Sequence, residues 1–486
     1  MLKRFTVIAI CLAFACASAM AQDAKTVIAN AQKAMGDLKS ITYSGAAKDV
    51  AFQQCGSNAA DMICRGTHDP MRPINNYVRV IDLTVPASRQ TGATNNPAGG
   101  GATQPMPGTF FQQVTAQQAD VAQPWGNSLE LYITPWGFLK GAAANNATAS
   151  KKKVDGKNYT VLTWSPTVKA PSGKSYVING YVSDQNTVDR VETWLGDNIM
   201  GDMHILAVYS GWKDFGGVMA PAKIVQTRGG WAFFEVNVTA AKANPPDVAT
   251  LVPAPPAGRG GGGGGAPAPL VVTSEKLGDG LYRLTTGPGS YDSVIVEFKD
   301  YIMMLEAGQS VARGSAYIAK TKELIPNKPI RYVMNTHPHS DHTGGLPPLV
   351  AEGAIIITQK NNEEFLDKAL NTPRTLLDDV LAKNPKKARF ETVVEKKAYS
   401  DGTRTVEMYH IPPAPHSNGL LIAYIPKEKV LFQGDFSVTP GQPANDHVKA
   451  LVPVLEKLNL DFDRYINVHT SAAPQTKADV WKSVGK

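Results

Sequence analysis

His337, His339, Asp341 and His342 stand within six consecutive positions of "NTHPHSDHTGG", residues 335 to 345. Imidazole nitrogens and carboxylate oxygens bind divalent cations or move protons. In an extended backbone alternate side chains share a face, so His337 and His339 can chelate one ion, while Asp341 and His342 fall on the turn that follows. Catalytic zinc usually takes three protein ligands and a water, so four such groups exceed one open site. A second metal or a second role is implied. Three further candidates sit at or just beyond the ends of predicted strands: His416 in "PAPHSNG", Asp435 in "LFQGDFS" and His469 in "INVHTS". Burying the first four groups without a metal would leave several polar atoms needing partners. His410 and His447 are read as ordinary core or surface residues. So are His68 and His204, which have no acidic or cysteine partner at ligand spacing.

The elements around these residues must present them together. "SVIVEF" and "YIMMLEAG" flank Lys299-Asp300 and predict a hairpin, and "SVARGSAYIAKTKELI" has helical spacing stopped by Pro326. "IRYVMN" follows as a buried strand that ends where the histidines begin. In alternating α/β folds sites are built at the carboxyl edge of the strands. Beyond it, "AIIIT", "FETVVE", "RTVEMYHI", "GLLIAYIP", "KVLFQG" and "RYINV" read as strands, and "NNEEFLDKAL" and "HVKALVPVLEKLN" as helices. This order suggests two sheets with helices outside both.

The spacing of these residues resembles the metallo-β-lactamase superfamily over roughly residues 270 to 486. Its H-x-H-x-D-H pattern is met by His337, His339, Asp341 and His342, and its later histidine, Gly-Asp and final histidine by His416, Asp435 and His469. The resemblance implies an αββα sandwich holding two metals: His337, His339 and His416 on the first, Asp341, His342 and His469 on the second, and Asp435 between them. Zinc is the default ion, with iron or manganese as other occupants of such donor sets. The implied chemistry is hydrolysis, in which a metal-bound hydroxide oriented by Asp341 attacks a small ester, thioester, lactone or related bond. Pro415 and Thr470 stand where the family usually has glycine. Asp435 stands where the best-known antibiotic-hydrolysing branch has cysteine, which argues against that branch and leaves β-lactam hydrolysis as an alternative.

The first half reads differently. After a helical pattern in "AKTVIANAQKAMGDLKSI" come short alternating segments separated by turn residues, among them "NYTVLTW", "SYVINGYVS", "HILAVYS" and "WAFFEVNVT". They predict an antiparallel sheet. A helix followed by hairpins resembles the outer-membrane lipoprotein carrier and sorting proteins, which implies an α+β half-barrel with a concave apolar surface. An envelope protein that binds lipid or another hydrophobic ligand, with a structural metal domain, is therefore a further alternative. Residues 253–269, "PAPPAGRGGGGGGAPAP", cannot build a core and read as a linker. The expected organisation is a leader at 1–21, an N-terminal domain at 22–252, the linker, and the metal domain at 270–486. The biased stretch at 91–108 is read as a surface loop.

Lys3 and Arg4, the apolar run Val7 to Cys16 and Ala19-Met20-Ala21 form a signal-peptide pattern, so export to the periplasm or beyond is expected. The run is shorter than the ~20 residues that span a bilayer. Loss of the leader leaves Cys55 and Cys64, expected as a disulfide in an oxidising compartment. With 49 basic against 42 acidic residues, and Lys151 to Lys153 read as a solvated turn, nucleic acid is a poor partner. A small-molecule substrate is the partner the site implies. Nothing in the sequence identifies the group that protonates the leaving group.

Overall fold

The protein is described here from a computed structural model covering residues 24–50, 71–84, 87–94, 108–109, 113–115, 125–252, 270–286, 291–411, 416–469 and 473–486. The expected leader, Cys55, Cys64, His68 and the stretch 253–269 lie outside the described residues.

Alternating strands in the first half assemble one twelve-stranded antiparallel sheet. Strand Ser40–Asp49 pairs with Arg72–Asp82 on one side and with Trp231–Ala243 on the other. The meander then runs through Lys223–Arg228, Gly201–Ser210, Val188–Asp197, Ile178–Val182 and Lys157–Trp164 to Thr148–Val154. Lys151, Lys152 and Lys153 lie on that last, edge strand and are exposed, not in a turn. Charged lysines on an edge discourage further strand pairing, which is a physical use for the run. Two helices the alternation did not reveal, Trp125–Tyr132 and Pro135–Ala144, cover the sheet with Trp125, Trp136 and Phe138 buried. Trp125 meets Trp164 edge to face at 6.0 Å, and Trp136 meets Trp212 at 6.2 Å. These aromatics fill a core.

Glu192, on the central strand Val188–Asp197, is held by Tyr181, Asn179 and His204 at 2.6, 3.2 and 2.9 Å. Burial opposes its charge, but the bonds from His204, Tyr181 and Asn179 outweigh it and bring its pKa from 4.5 to about 2. Between those pH values the unfolded chain binds the extra proton, so the stabilisation is complete above pH 4.5 and is lost as pH falls toward 2. Glu192→Gln is expected to cost roughly 1–3 kcal/mol at neutral pH. Urea unfolding at stepped pH checks this: the gap to the parent should close below pH 4.5, and a gap constant to pH 2.5 would refute the assignment.

The second half forms two sheets. Seven strands run from Val272–Gly278 to Arg389–Val393; the first four are antiparallel, and Ile302–Leu305, Ile330–Met334, Ile355–Gln359 and Arg389–Val393 are parallel. Five strands form the other, from Lys396–Ser400 through Val430–Gln433 to the parallel Arg464–Asn467. Val294, Met303, Met334 and Ile357 of the first sheet share one core with Met408, Leu421, Phe432 and Ile466 of the second. Their strand neighbours Ile295, Met304, Val333 and Ile356 face out, toward Tyr317, Leu349 and Phe365 of helices Val311–Leu324, Leu346–Glu352 and Glu363–Leu370. Helices Asp446–Leu458 and Lys477–Ser483 cover the far face of the second sheet through Val448, Leu451 and Val480. Strands buried on both faces must be apolar throughout, which is why "IMML" and "LLIAYI" show no alternation. The architecture is αββα, as the sequence pattern leads one to expect.

The two halves pack together. Trp231 meets Phe365 at 5.3 Å and lies beneath the Lys368 ammonium, 4.1 Å from the ring centre. The Asp202 carboxylate accepts from the backbone N–H groups of Thr375 and Leu376, both at 2.9 Å.

Candidate metal centre

Strand Ile330–Met334 sits between two parallel neighbours and ends at Met334, so the chain emerges at the carboxyl edge of the sheet. Asn335, wholly buried, donates from Nδ2 to the carbonyls of His337 and His342 at 2.8 and 3.1 Å, and so fixes the loop. His339 caps the one-turn helix Ser340–Thr343. Gly344 and Gly345 then pass against the segment 307–309. A Cβ on Gly345 would lie 2.0 Å from the Ala307 carbonyl oxygen, and one on Gly344 would lie 2.1 Å from that of Gln309. Gly345→Ala must therefore shift backbone on both sides. It is expected to lower stability by roughly 1–3 kcal/mol and to weaken divalent-metal retention, checked by melting and elemental analysis. A variant matching the parent in both would show that the contact yields at no cost.

The other three candidates arrive from the second sheet. His416 precedes strand Leu420–Ile425, and the His410 ring fastens that approach through the Asn418 carbonyl at 2.9 Å. Asp435 follows Val430–Gln433 and His469 follows Arg464–Asn467. Asn467 joins these last two loops: its Nδ2 donates to the Gly434 carbonyl at 2.5 Å, and its Oδ1 accepts from the His469 N–H at 2.7 Å.

The structure brings all seven together as two adjacent groups. His337, His339, His416 and Asp435 form one, and Asp341, His342 and His469 the other, with the ligand atoms within each group no more than 4.8 Å apart. Asp435 faces both groups. Its Oδ2 lies 2.5 Å from His416 Nε2 and 3.6 Å from His337 Nε2, while Oδ1 lies 2.9 Å from His342 Nε2 and 2.7 Å from His469 Nε2. Asp341 Oδ2 is 3.4 Å from His469 Nε2 and 3.5 Å from His342 Nε2.

Electrostatics divides the histidines. Burial and neighbouring imidazoles push His337 and His339 well below the usual range, keeping them neutral, the form in which a ring nitrogen can bind a cation. Burial pulls His342 the same way, but Asp435 and Glu306 outweigh it and hold it well above. The Asp435 carboxylate resists burial because His342, His416 and His337 keep it well below its ordinary value.

The donor set fits divalent cations. His339 is fully buried, yet neither ring nitrogen has a hydrogen-bond partner, an arrangement that is costly unless something else accepts the lone pair. Pairs of imidazole nitrogens also converge at 3.0 Å, His337 on His416 and His342 on His469.

Three supporting residues escaped the sequence reading. Glu306, wholly buried, accepts from Thr336 Oγ1 at 2.5 Å and pairs with His342 Nδ1 at 3.1 Å. Thr336 Oγ1 also lies 3.1 Å from His337 Nδ1, so one hydroxyl links both groups to one carboxylate. Glu306 has φ +73°, a strained conformation for a non-glycine residue, and the Ser293 hydroxyl donates to its carbonyl at 2.9 Å. Its sequence signal is an acid directly after the apolar run in "YIMMLEAG". Tyr291 donates to Asp341 Oδ2 at 3.3 Å and packs on the His469 ring at 4.7 Å. Burial and Asp341 push its hydroxyl up to about 12, so it remains a donor at neutral pH. His447 sits edge-on to His416 at 5.0 Å, beside the ligand groups and outside them. His204, paired with Glu192, is structural and remote in role.

Residues 286–480 match the family model described as the metallo-beta-lactamase superfamily. Solved structures similar to the chain include a metallo-beta-lactamase from Pontibacter korlensis, 16% identical, covering 44% of this chain and 100% of that one at a TM-score of 0.34. A metallo beta lactamase from Hirschia baltica is 19% identical over 44% of this chain and 95% of its own, TM-score 0.34. Another from Erythrobacter litoralis, with beta mercaptoethanol in its active site, is 14% identical over 44% and 95%, TM-score 0.33.

Proposed function

We propose, from the metallo-beta-lactamase superfamily domain at residues 286–480 and the two groups of donor atoms it carries, that this protein is an exported dinuclear zinc hydrolase. Its substrate in this reading is a small ester, thioester, lactone or related molecule. The observation that carries the proposal is the Asp435 carboxylate, which turns one oxygen to each histidine group. His337, His339 and His416 would hold one ion and Asp341, His342 and His469 the other, with Asp435 shared. Ions so bound would lower the pKa of a water toward neutrality and polarise the bond to be cleaved.

The chain's own groups supply the rest. Asp341, steadied by Tyr291, orients the nucleophile. Glu306 fixes the His342 ring through Nδ1 and leaves Nε2 facing the site. Imidazole and carboxylate donors make zinc the default, with iron or manganese as other candidates. Export rests on the N-terminal leader pattern and the Cys55/Cys64 pair. The first half, in this reading a half-barrel of the lipoprotein-carrier kind, keeps its aromatic side chains packed on one another among the described residues, which favours a supporting role over lipid carriage.

Purified mature protein should retain two zinc ions per chain through mild dialysis. It should hydrolyse at least one of 4-nitrophenyl acetate, γ-thiobutyrolactone and nitrocefin, lose that activity to a chelator and regain it with zinc. No retained metal, or activity that survives complete metal removal, would overturn the proposal.

A further inference from the structure

Both donor groups are assembled across the two sheets of the second half. His337 and His339 follow a strand of the first sheet, whereas His416 and Asp435 come from the second; Asp341 and His342 face His469 in the same way. The spacing of ligand atoms within a group therefore depends on how the carboxyl edges of the two sheets are tied together.

Bonds that cross between the sheets at this edge can be assigned to one group or the other. The Asp292 backbone N–H, in the first sheet, donates to the Val468 carbonyl at 2.7 Å, directly before His469. The Leu421 N–H, in the second sheet, donates to the Thr336 carbonyl at 2.8 Å, directly before His337. A further crossing bond on the His337 side comes from a side chain, Asn362, that ends the short turn Lys360–Asn362 and leads into helix Glu363–Leu370. Wholly buried, it donates from Nδ2 to the Gly419 carbonyl at 2.8 Å and to Thr358 Oγ1 at 3.0 Å. The Thr358 hydroxyl donates in turn to Asn335 Oδ1 at 3.4 Å, and Asn335 holds the His337 carbonyl. One chain of hydrogen bonds thus runs from the loop that carries His337 to the loop that carries His416.

Gly419 is close enough to His416 for that bond to matter. The segment between them is folded on itself, with Ser417 Oγ accepting from the Gly419 N–H at 3.3 Å. His410, which takes the Asn418 carbonyl, sits on strand Thr405–Ile411 of the second sheet, so its bond moves with that sheet. The Asn362 bond is anchored in the first. A shift of the Gly419 carbonyl would carry over to His416 Nε2, which faces His337 Nε2 at 3.0 Å and Asp435 Oδ2 at 2.5 Å. Asparagine is also an unfavourable choice here on packing alone. Its Oδ1 is buried with no hydrogen-bond partner among the described residues, a cost that an aliphatic side chain of the same size would avoid. The two donor bonds are what the amide supplies in return.

We propose that Asn362 is a positioning residue for one metal: by tying Gly419 to the first sheet it sets the place of His416 relative to His337 and His339, and with it the affinity of that group alone. This rests on the metallohydrolase reading and adds to it a residue that touches no ligand atom.

The test measures zinc affinity of the full chain by competition with a chromophoric chelator, beside elemental analysis and a melting curve. His339→Ala and His469→Ala, each stripped of one ligand, identify which affinity belongs to which group. Asn362→Leu keeps the size of the side chain and removes its donors, and Asn362→Ala removes them with no risk of overlap. In both, the His337–His339–His416 group should lose about 10–100-fold in affinity, and the Asp341–His342–His469 group should change by less than about threefold. Leu366→Ala, which truncates a wholly buried side chain on the helix that follows, serves as the control for lost stability. It should lower the melting temperature and leave both affinities within about threefold of the parent. Unchanged affinities in both Asn362 variants, an equal fall in the two groups, or the same selective loss in Leu366→Ala would each overturn the inference and leave the metallohydrolase reading intact. A parent that retains no zinc would overturn both, and the elemental analysis identifies that case.

Discussion

Asp435→Asn is expected to lower bound zinc from two ions per chain to one or fewer and to reduce hydrolysis by more than the roughly 10–100-fold that loss of an outer partner costs. The substitution keeps the side chain's size and removes its symmetry. A carboxylate presents an acceptor oxygen to each group, Oδ2 toward His416 and His337 and Oδ1 toward His342 and His469. An amide can present its oxygen to only one. The NH₂ end would point donor hydrogens at nitrogens that must themselves stay lone-pair donors to a cation. The fold should persist, because the loop is held independently by Asn467 through the Gly434 carbonyl. Elemental analysis with a melting curve is the measurement. A variant that keeps two zinc ions would show that Asp435 is not shared between the groups.

Glu306→Gln is the second large effect. Glu306 touches no proposed metal position, yet one of its oxygens, Oε2, lies within 3.1 Å of both Thr336 Oγ1 and His342 Nδ1. Glutamine can supply one acceptor there or turn its donors inward, so the His342 ring loses either its orientation or its basicity. Zinc affinity at the Asp341–His342–His469 group is expected to fall about 10–100-fold. The His337 group, coupled only through the Thr336 hydroxyl, should lose less. Competition against a chromophoric chelator resolves the two affinities, and equal affinities in parent and variant would remove Glu306 from the centre.

Most of the metal-binding half was legible in the chain. Strands such as "IMML" and "LLIAYI" are apolar on both faces, helices such as Val311–Leu324 carry their own stop and cap signals, and the candidate ligands follow strand ends. The first half was less so. Helix Pro135–Ala144 lies in a stretch where Trp, Phe and Leu are buried almost all round, and such a segment has too little polar contrast to show a helical period. Lys151 to Lys153 read as a turn because charge runs are usually solvated; an edge strand is also solvated, and only pairing with Lys157–Trp164 decides between them.

What the sequence indicates by itself is the seven candidate donor residues and their attachment to strand ends, since ligand chemistry and strand period are local properties. What only the tertiary structure decided is everything that depends on residues distant in the chain. Glu306 comes beside His342 because strands Ile302–Leu305 and Ile330–Met334 pair in parallel. Asp435 has a group on each side because the edges of two sheets meet. Asn198 shares a recess with Asp341 because a hairpin of the first half is fastened to the loop after Leu370. No local pattern records such contacts, because burial and partner geometry follow from the packing of whole sheets.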